Sequence, residues 1–261
     1  MRVWWFCLLV CLSAKANAQL PDSAVWSVRG DRFVVDKLQQ VYLVDEAQNL
    51  RKYNPDGKEV FMYSNLGLGP LEQVDVTDPF NLLLYYPQFQ TAVQLDRTLN
   101  ERGRLSFLDL GYPQIDMVAQ SRDNQLWIYE GLQNRLLKVN AIGQKLAESQ
   151  NLSLLPEGAP TPDFLAAAGN LVFMGDGNDR LLIFDAFGQY VRTIPLEGRR
   201  PVQVSSNNLV LVSAEGAWVM DPNFQFMYLN LPVPAIAAPH WRISKNQVLW
   251  LTAEGLHIRK R

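Results

Sequence analysis

The sequence is poor in cysteine and histidine, and this scarcity excludes several kinds of catalytic centre. Its two cysteines, Cys7 and Cys11, lie near the N-terminus, and its two histidines are His240 and His257. Three His or Cys ligands for a zinc ion are therefore not available within residues 19–261. No Gly-x-Ser-x-Gly segment occurs, so the nucleophile turn of an α/β-hydrolase is absent as well.

A basic excess and helical periodicity are also missing. The chain has 24 Lys and Arg residues against 26 Asp and Glu residues, which gives a formal net charge of −2. Because a nucleic-acid-binding protein needs a basic stripe, we expect no nucleic-acid partner. Beyond residue 18, no segment shows the apolar period of a helix, and no glycine-rich phosphate loop leads into one.

Residues 1–18 have the composition of an export signal. Arg2 gives a positive start, Val3 to Leu12 form a short apolar run, and Ala16-Asn17-Ala18 match the small-x-small cleavage pattern. Cleavage before Gln19 would remove both cysteines. The apolar run is too short to cross a bilayer, so we expect no membrane span after cleavage. The sequence thus predicts a single periplasmic or secreted domain over residues 19–261.

The rest of the chain consists of loose repeats of apolar runs separated by polar turns. The residue after one apolar run of each copy recurs at intervals of 36 to 45 residues, at Asn54, Asp96, Asn140, Asp185, Asp221 and Arg259. Short polar side chains suit this place because they bond to backbone groups of a tight turn. The preceding runs cover residues 41–45, 82–86, 126–130, 171–175, 209–213 and 248–252. Their β-branched and aromatic residues predict buried strands.

One copy carries a family resemblance. Residues Gly169 to Ile194 show glycine, an apolar strand, a small polar turn, Arg, a second apolar strand, Asp, Gly and a closing strand. This order resembles a six-bladed β-propeller of the NHL-repeat type, and residues 124–146 follow it next best. The copy departs from the family at Gly175, where an acidic residue is expected and where Asp45 and Glu130 keep it. The resemblance implies an all-β fold and contact with a protein partner.

The two ends of the chain suggest how the ring closes. The last copy stops at Arg261 after a third strand, whereas Ala24 to Val28 form an apolar, strand-like segment before the first copy. Pairing this segment as the outer strand of the last blade would remove an exposed sheet edge. We therefore expect the N-terminal strand to close the propeller.

The candidate site is the face on which the chain enters each innermost strand, because ligand groups converge there around the central channel. The predicted entry loops cover residues 64–72, 108–114, 152–163, 195–201 and 231–241. They place these candidate ligand-binding residues near the channel mouth: Glu72, Asp116, Asp163, Arg199, Arg200, His240, Trp241 and Arg242. Trp127 and Trp250 are expected to pack in the core. Trp241 is the one aromatic candidate for ligand stacking, although packing is the favoured role for it as well. The other alternative is a solvated rim whose charges serve solubility.

A metal site is the weaker interpretation of the polar turns on this face. Asp176, Asn178 and Asp179 are spaced as oxygen ligands for Ca²⁺, but Gly, Asn and Asp are also the residues that tight turns need. We expect no cofactor, with calcium as the one candidate.

The sequence favours an exported, non-catalytic propeller that binds or scaffolds a protein or peptide in the cell envelope. Two alternatives stay open. One is a calcium-dependent propeller hydrolase or lactonase that uses Glu72, Asp116 and Asp163 from three blades. The other is a carbohydrate-binding module.

Overall fold

The computed structural model describes residues 23–205, 208–231, 238, 240–245 and 247–260. In this part of the chain, six four-stranded antiparallel sheets surround a channel. Each sheet is one blade of a six-bladed β-propeller, which confirms the predicted fold class. The predicted export signal, residues 1–18, lies outside the described residues.

The strands of each blade follow one another from the channel outward. Blade 1 contains β2 (Arg32–Val35), β3 (Val41–Val44), β4 (Leu50–Tyr53) and β5 (Glu59–Tyr63). Blade 2 contains β6 (Gln73–Asp75), β7 (Asn81–Tyr86), β8 (Thr91–Asp96) and β9 (Glu101–Ser106). Blade 3 contains β10 (Ile115–Gln120), β11 (Leu126–Glu130), β12 (Arg135–Val139) and β13 (Lys145–Glu148).

The second half of the ring repeats this order. Blade 4 contains β14 (Pro162–Ala168), β15 (Leu171–Asp176), β16 (Arg180–Asp185) and β17 (Tyr190–Pro195). Blade 5 contains β18 (Arg200–Ser205), β19 (Asn208–Ser213), β20 (Gly216–Met220) and β21 (Phe226–Leu229). Blade 6 contains β22 (His240–Ser244), β23 (Gln247–Thr252), β24 (Gly255–Lys260) and, as its outer strand, β1 (Ser23–Trp26).

The pairing of β1 with β24 closes the ring, as predicted. Ser23 lies opposite Arg259 and Trp26 lies opposite Leu256 in an antiparallel register. The sixth blade is therefore assembled from both ends of the described chain. Arg259 lies within β24 and opposite Ser23, so it does not hold a turn as the corresponding residues of the other repeats do.

The second strand of each blade is buried on both faces, which explains its continuous apolar run. In β7, Leu82 and Leu84 pack toward blade 1, whereas Leu83 and Tyr85 pack toward blade 3. Side chains of a strand alternate between its two faces, so one run supplies two interfaces. The six apolar runs identified in the sequence are these six second strands.

Six clusters of buried side chains fill the six interfaces between neighbouring blades. Trp127 lies in the cluster between blades 3 and 4, and Trp250 lies in the cluster between blades 5 and 6. Both therefore have the packing role expected for them. Full burial of one large apolar side chain contributes about 1.5–3 kcal/mol, so these interfaces are the main source of the ring's stability.

The recurring polar residues hold the turns between third and fourth strands. Asp185 Oδ1 accepts hydrogen bonds from the amides of Phe187 and Gln189, at 2.8 and 2.9 Å. The same pair of bonds, to the second and fourth following residues, is made by Asn54, Asp96, Asn140 and Asp221. This confirms the bonding expected of the repeat.

The acidic residue missing at Gly175 is supplied one position later. Asp176 Oδ2 accepts a hydrogen bond from Arg180 Nε at 2.8 Å, and Glu130 Oε2 accepts one from Arg135 Nε at 2.6 Å. In both blades the acid ends the second strand and lies opposite the arginine that begins the third. The departure from the family pattern is therefore a shift in position and not the loss of the ion pair.

Short 3₁₀ segments occur in three connecting loops, at Leu66–Leu68, Pro87–Phe89 and Leu152–Leu154. Among the described residues there is no helix with the length and apolar character that crossing a membrane requires.

Candidate functional site

The innermost strands of the six blades line a central channel with a volume of about 930 Å³. The chain enters these strands from one side of the ring, which we call the entry face. Strands alternate in direction within a blade, so the loops between second and third strands lie on the same face. The predicted entry loops precede β6, β10, β14, β18 and β22 as expected, although residues 232–237 and 239 of the last loop lie outside the described residues.

At the starts of the inner strands, basic side chains occur in blades 1, 5 and 6 and acidic side chains occur in blades 2, 3 and 4. Arg32, Arg200 and His240 are the first residues of the inner strands of blades 1, 5 and 6. The corresponding places in blades 2, 3 and 4 are held by Glu72, Asp116 and Asp163, at or next to the strand start. We call the first group, together with Arg242, the basic half and the second group the acidic half.

Four of the predicted residues line the channel itself: Glu72, Asp163, His240 and Arg242. Asp116 and Arg200 are exposed at the rim, where Asp116 Oδ1 accepts a hydrogen bond from Gln114 Nε2 at 3.1 Å. The structure therefore brings six of the eight predicted residues to the channel entrance.

Trp241 and Arg199 lie elsewhere, which corrects their predicted placement. Trp241 is only 1% exposed and packs between blades 5 and 6. Strand alternation explains this, because His240 and Arg242 face the channel and the residue between them must face the opposite side. The guanidinium of Arg199 lies 4.6 Å from the centre of the Trp218 ring, outside the channel lining.

Arg32 lines the channel and was missed by the sequence analysis. Its Nε and Nη2 atoms are buried and have no hydrogen-bond partner. Burial lowers the pKa of Arg32, and the negative charges of Asp31 and Glu72 oppose this effect. Aligning the starts of the inner strands would have found it, because Arg32 occupies the same place in blade 1 that Arg200 occupies in blade 5.

The positive groups of the basic half influence one another. Burial, together with the charge of Arg200, lowers the pKa of Arg242 to about 10. Burial also lowers the pKa of His240, and the charges of Arg242, Arg32 and Arg200 add to the shift. At neutral pH, we therefore expect charged arginines around an uncharged imidazole.

Asp163 in the acidic half has the opposite shift. Burial raises its pKa above the usual value for an aspartate, and the negative charge of Asp176 adds to the effect. A hydrogen bond from its own backbone and the positive charge of Arg200 both act in the other direction. Asp163 belongs to blade 4 and therefore lies where the acidic half adjoins the basic half at blade 5.

The candidate calcium ligands mainly hold their own loop together. Asp176 Oδ1 accepts hydrogen bonds from the Thr161 amide at 3.0 Å and from Asn178 Nδ2 at 3.0 Å. Its other oxygen is paired with Arg180. Asp179 Oδ1 accepts a hydrogen bond from the Gly198 amide at 2.8 Å. These contacts account for the residues as turn formers, and calcium binding stays a prediction.

Hydrogen bonds join neighbouring loops of the entry face. The Leu152 amide donates to the Asn134 carbonyl at 2.7 Å, which ties the loop before β14 to the β11–β12 loop. The Leu196 amide donates to the Asp179 carbonyl at 2.8 Å and makes the equivalent link in the next blade. These bonds join the entry-face loops of blades 3, 4 and 5 to one another.

Side-chain amides connect the inner strands across two blade interfaces. Gln203 Nε2 donates to the Ile243 carbonyl at 2.8 Å, and Gln203 Oε1 accepts from the Ile243 amide at 2.9 Å. Gln73 Oε1 likewise accepts from the Val118 amide at 3.0 Å. These glutamines fix the spacing of neighbouring inner strands, and the sequence analysis did not identify them.

No protein-family model matches the sequence, and no curated protein matches it either. Several solved structures share the fold. A streptogramin B lyase structure is 12% identical over 92% of this chain and 87% of that chain, with a TM-score of 0.61. The selenomethionine-substituted virginiamycin B lyase from Staphylococcus aureus is 14% identical over 92% of this chain and 87% of that chain, with a TM-score of 0.59.

At these identities the likeness shows the fold alone. The chain is a six-bladed β-propeller with a charged channel entrance. The NHL type of its repeat stays a prediction. Activity does not follow from a shared propeller, because unrelated functions occur on one fold.

Proposed function

We propose that the protein is an exported, non-catalytic β-propeller that binds a protein or peptide partner in the cell envelope through its entry face. The observation that carries this proposal is the division of the channel entrance into a basic half and an acidic half. Complementary charges on two surfaces steer binding and fix its orientation. A solvated rim would not require positive groups of three consecutive blades to stand together at the channel entrance.

The hydrogen bonds that join the entry-face loops of blades 3, 4 and 5 support a binding role. Loops that are already ordered lose little conformational entropy when a partner binds, so more of the contact energy appears as affinity. The export signal expected in residues 1–18 supports the proposed location, since cleavage would release the propeller into the periplasm or the medium.

Capture from an envelope extract tests the proposal. A tagged chain of residues 19–261 is incubated with envelope extract of the source organism, cross-linked and recovered, and the bound proteins are identified by mass spectrometry. Arg200→Glu reverses one exposed charge at the rim and should abolish capture. Arg102→Glu makes the same change on the exposed outer strand of blade 2 and should leave capture intact. Recovery of the same proteins by both variants would show that the entry face is not the binding surface.

A calcium-dependent hydrolase is the second candidate. Its candidate ligands would be Glu72, Asp116 and Asp163, which come from three blades. Within the described ranges, however, no three His, Cys, Asp or Glu side chains approach closely enough to hold a metal ion. We therefore place binding first. A rise in Tm on addition of calcium chloride would favour the hydrolase, and retention on glycan beads would favour a carbohydrate-binding module.

A further inference from the structure

The basic half is built from three consecutive blades. Blade 6 lies between blades 5 and 1, as the packing clusters at its two interfaces show. Arg200, His240 and Arg32 begin the inner strands of these blades and so stand at the same level of the channel. Arg242 is two residues further along β22 and faces the same side as His240. The three arginines, with the imidazole of His240 among them, form what we call the basic wall, which extends from Arg32 and Arg242 in the channel lining to Arg200 at the exposed rim.

The arginines of this wall differ from those on the outer part of the blades. Arg51, Arg135 and Arg180 each form an ion pair with a carboxylate of their own blade. Among the described residues, no carboxylate forms an ion pair with Arg32, Arg200 or Arg242.

Two of these arginines have few hydrogen-bond partners, although the charges of Asp31 and Glu72 act on Arg32. Arg32 has two buried nitrogens without a partner, and the hydrogen bond of Arg242 Nη1 goes to the carbonyl of Trp241 at 2.8 Å. Buried charges are normally paired, because removing a guanidinium from water is costly. A negatively charged group placed among these nitrogens would offset that cost.

The electrostatic environment agrees with this geometry. The mutual repulsion of Arg200 and Arg242 contributes to the lowered pKa of Arg242. An anion bound between them would reduce that repulsion and would accept charge-assisted hydrogen bonds from the guanidinium groups. A planar carboxylate matches the paired N–H donors of a guanidinium particularly well.

The acidic half limits which anions fit. Glu72, Asp116 and Asp163 face the same entrance from blades 2, 3 and 4, so a multiply charged phosphate would be repelled across the channel. A ligand with one carboxylate and one cationic group would satisfy both halves. The channel volume of about 930 Å³ is within the range of ligand pockets, about 300–1,000 Å³, which is large enough for a short peptide.

We propose that the basic half binds the carboxylate of a short peptide whose cationic group faces Glu72, Asp116 and Asp163. This inference rests on the proposed function, since it names the chemistry of the segment that enters the channel. Arg32 and Arg242 hold the carboxylate from two sides, and Arg200 completes the positive wall at the rim.

Calorimetric titration of residues 19–261 with a lysyl-alanyl-alanine tripeptide tests this assignment. The tripeptide is used as the free acid, as its C-terminal amide and with both of its amino groups acetylated, and inorganic phosphate is titrated separately. The free acid should bind most tightly, and loss of its carboxylate should weaken binding by about tenfold or more. Equal binding of acid and amide, tighter binding of phosphate, or no binding in any arm would overturn the assignment.

Matched variants locate the binding site. Arg32→Met and Arg242→Met keep an apolar stem and remove one charge in different blades, and each should weaken binding of the free acid by about tenfold. Arg102→Met, on the outer strand of blade 2, should bind like the unmodified protein. Thermal melts confirm that each variant is folded. Unchanged affinity in both channel variants would also overturn the assignment.

The two proposals can fail separately. If no tripeptide form binds while capture of envelope proteins still depends on Arg200, the binding function stands and the ligand class is wrong. If the free acid binds as expected but no envelope protein is captured, the carboxylate-binding site is supported and the proposal of a protein partner is rejected.

Discussion

Ala24 lies opposite Ile258 in the antiparallel pair that joins the first and last described strands. Two residues on, Trp26 packs near Tyr53 of blade 1, with ring centres 6.3 Å apart. The N-terminal strand therefore completes blade 6 and also contributes to the interface between blades 6 and 1. Loss of this one strand would expose a sheet edge and open the ring at the same place.

Deletion of residues 19–29 should lower Tm by about 10 °C, because it removes an outer strand and part of an interface core. The measurement is a thermal melt followed by circular dichroism. A chain that begins at Ser23 keeps β1 and is the control. Equal melting of the chains that begin at residues 23 and 30 would contradict the role of β1 in closure.

Asp185→Ala should reduce the free energy of unfolding by about 1–2 kcal/mol, because the Phe187 and Gln189 amides lose their acceptor. Asp185→Asn should retain most of the stability, since Asn54 and Asn140 make the same bonds in their own blades. Urea titration compares the two variants. If the asparagine variant were as unstable as the alanine variant, the stabilising effect of Asp185 would come from its charge and not from the hydrogen bonds of the turn.

Gln203→Leu should cost about 1–3 kcal/mol, because it leaves both backbone groups of Ile243 without their partner at a buried blade interface. Chemical denaturation measures the loss. Gln225→Leu, in an exposed turn of the same blade, is the control and should have little effect. A similar loss of stability in both variants would show that any change of glutamine to leucine has this effect, and that the hydrogen bonds between Gln203 and Ile243 are not its cause.

Acidification should destabilise the protein through His240, whose pKa in the folded state lies below the usual 6.5. Below that pH the unfolded chain takes up a proton more readily than the folded one, so the free energy of unfolding falls as pH decreases. Melts at about pH 7.5 and about pH 5 should show a smaller decrease in Tm for His240→Gln than for the unmodified protein. An equal decrease in both would show that other groups cause the acid sensitivity.

Much of the propeller was predictable because its repeats are local. The turn formed by Asp185 uses amides two and four residues away, and β15 and β16 follow each other directly in the chain. The buried apolar runs and the polar turns of a blade can therefore be recognised in its sequence. The closing strand was predictable for a related reason, since an apolar, strand-like segment precedes the first repeat.

The channel entrance was only partly predictable because it joins residues from distant repeats. Arg32 and Arg242 lie on the neighbouring inner strands β2 and β22, which come from the first and the last repeat. The first repeat, which holds Arg32, resembles the others weakly. The sequence neighbours of Trp241 led to the prediction that it lies at the entrance. Because side chains of a strand alternate between two faces, Trp241 instead faces the core. The bridge from Gln203 to Ile243 spans 40 residues and leaves no local pattern.

The sequence by itself determined the strands, their turns and the number of blades, because apolar runs and short polar turn residues act over a few residues. The tertiary structure alone decided that blades 5, 6 and 1 present positive charge to the channel and blades 2, 3 and 4 present negative charge. Closing a ring brings together the starts of six inner strands that are about 40 residues apart in the chain, and only that closure sets which charges face one another.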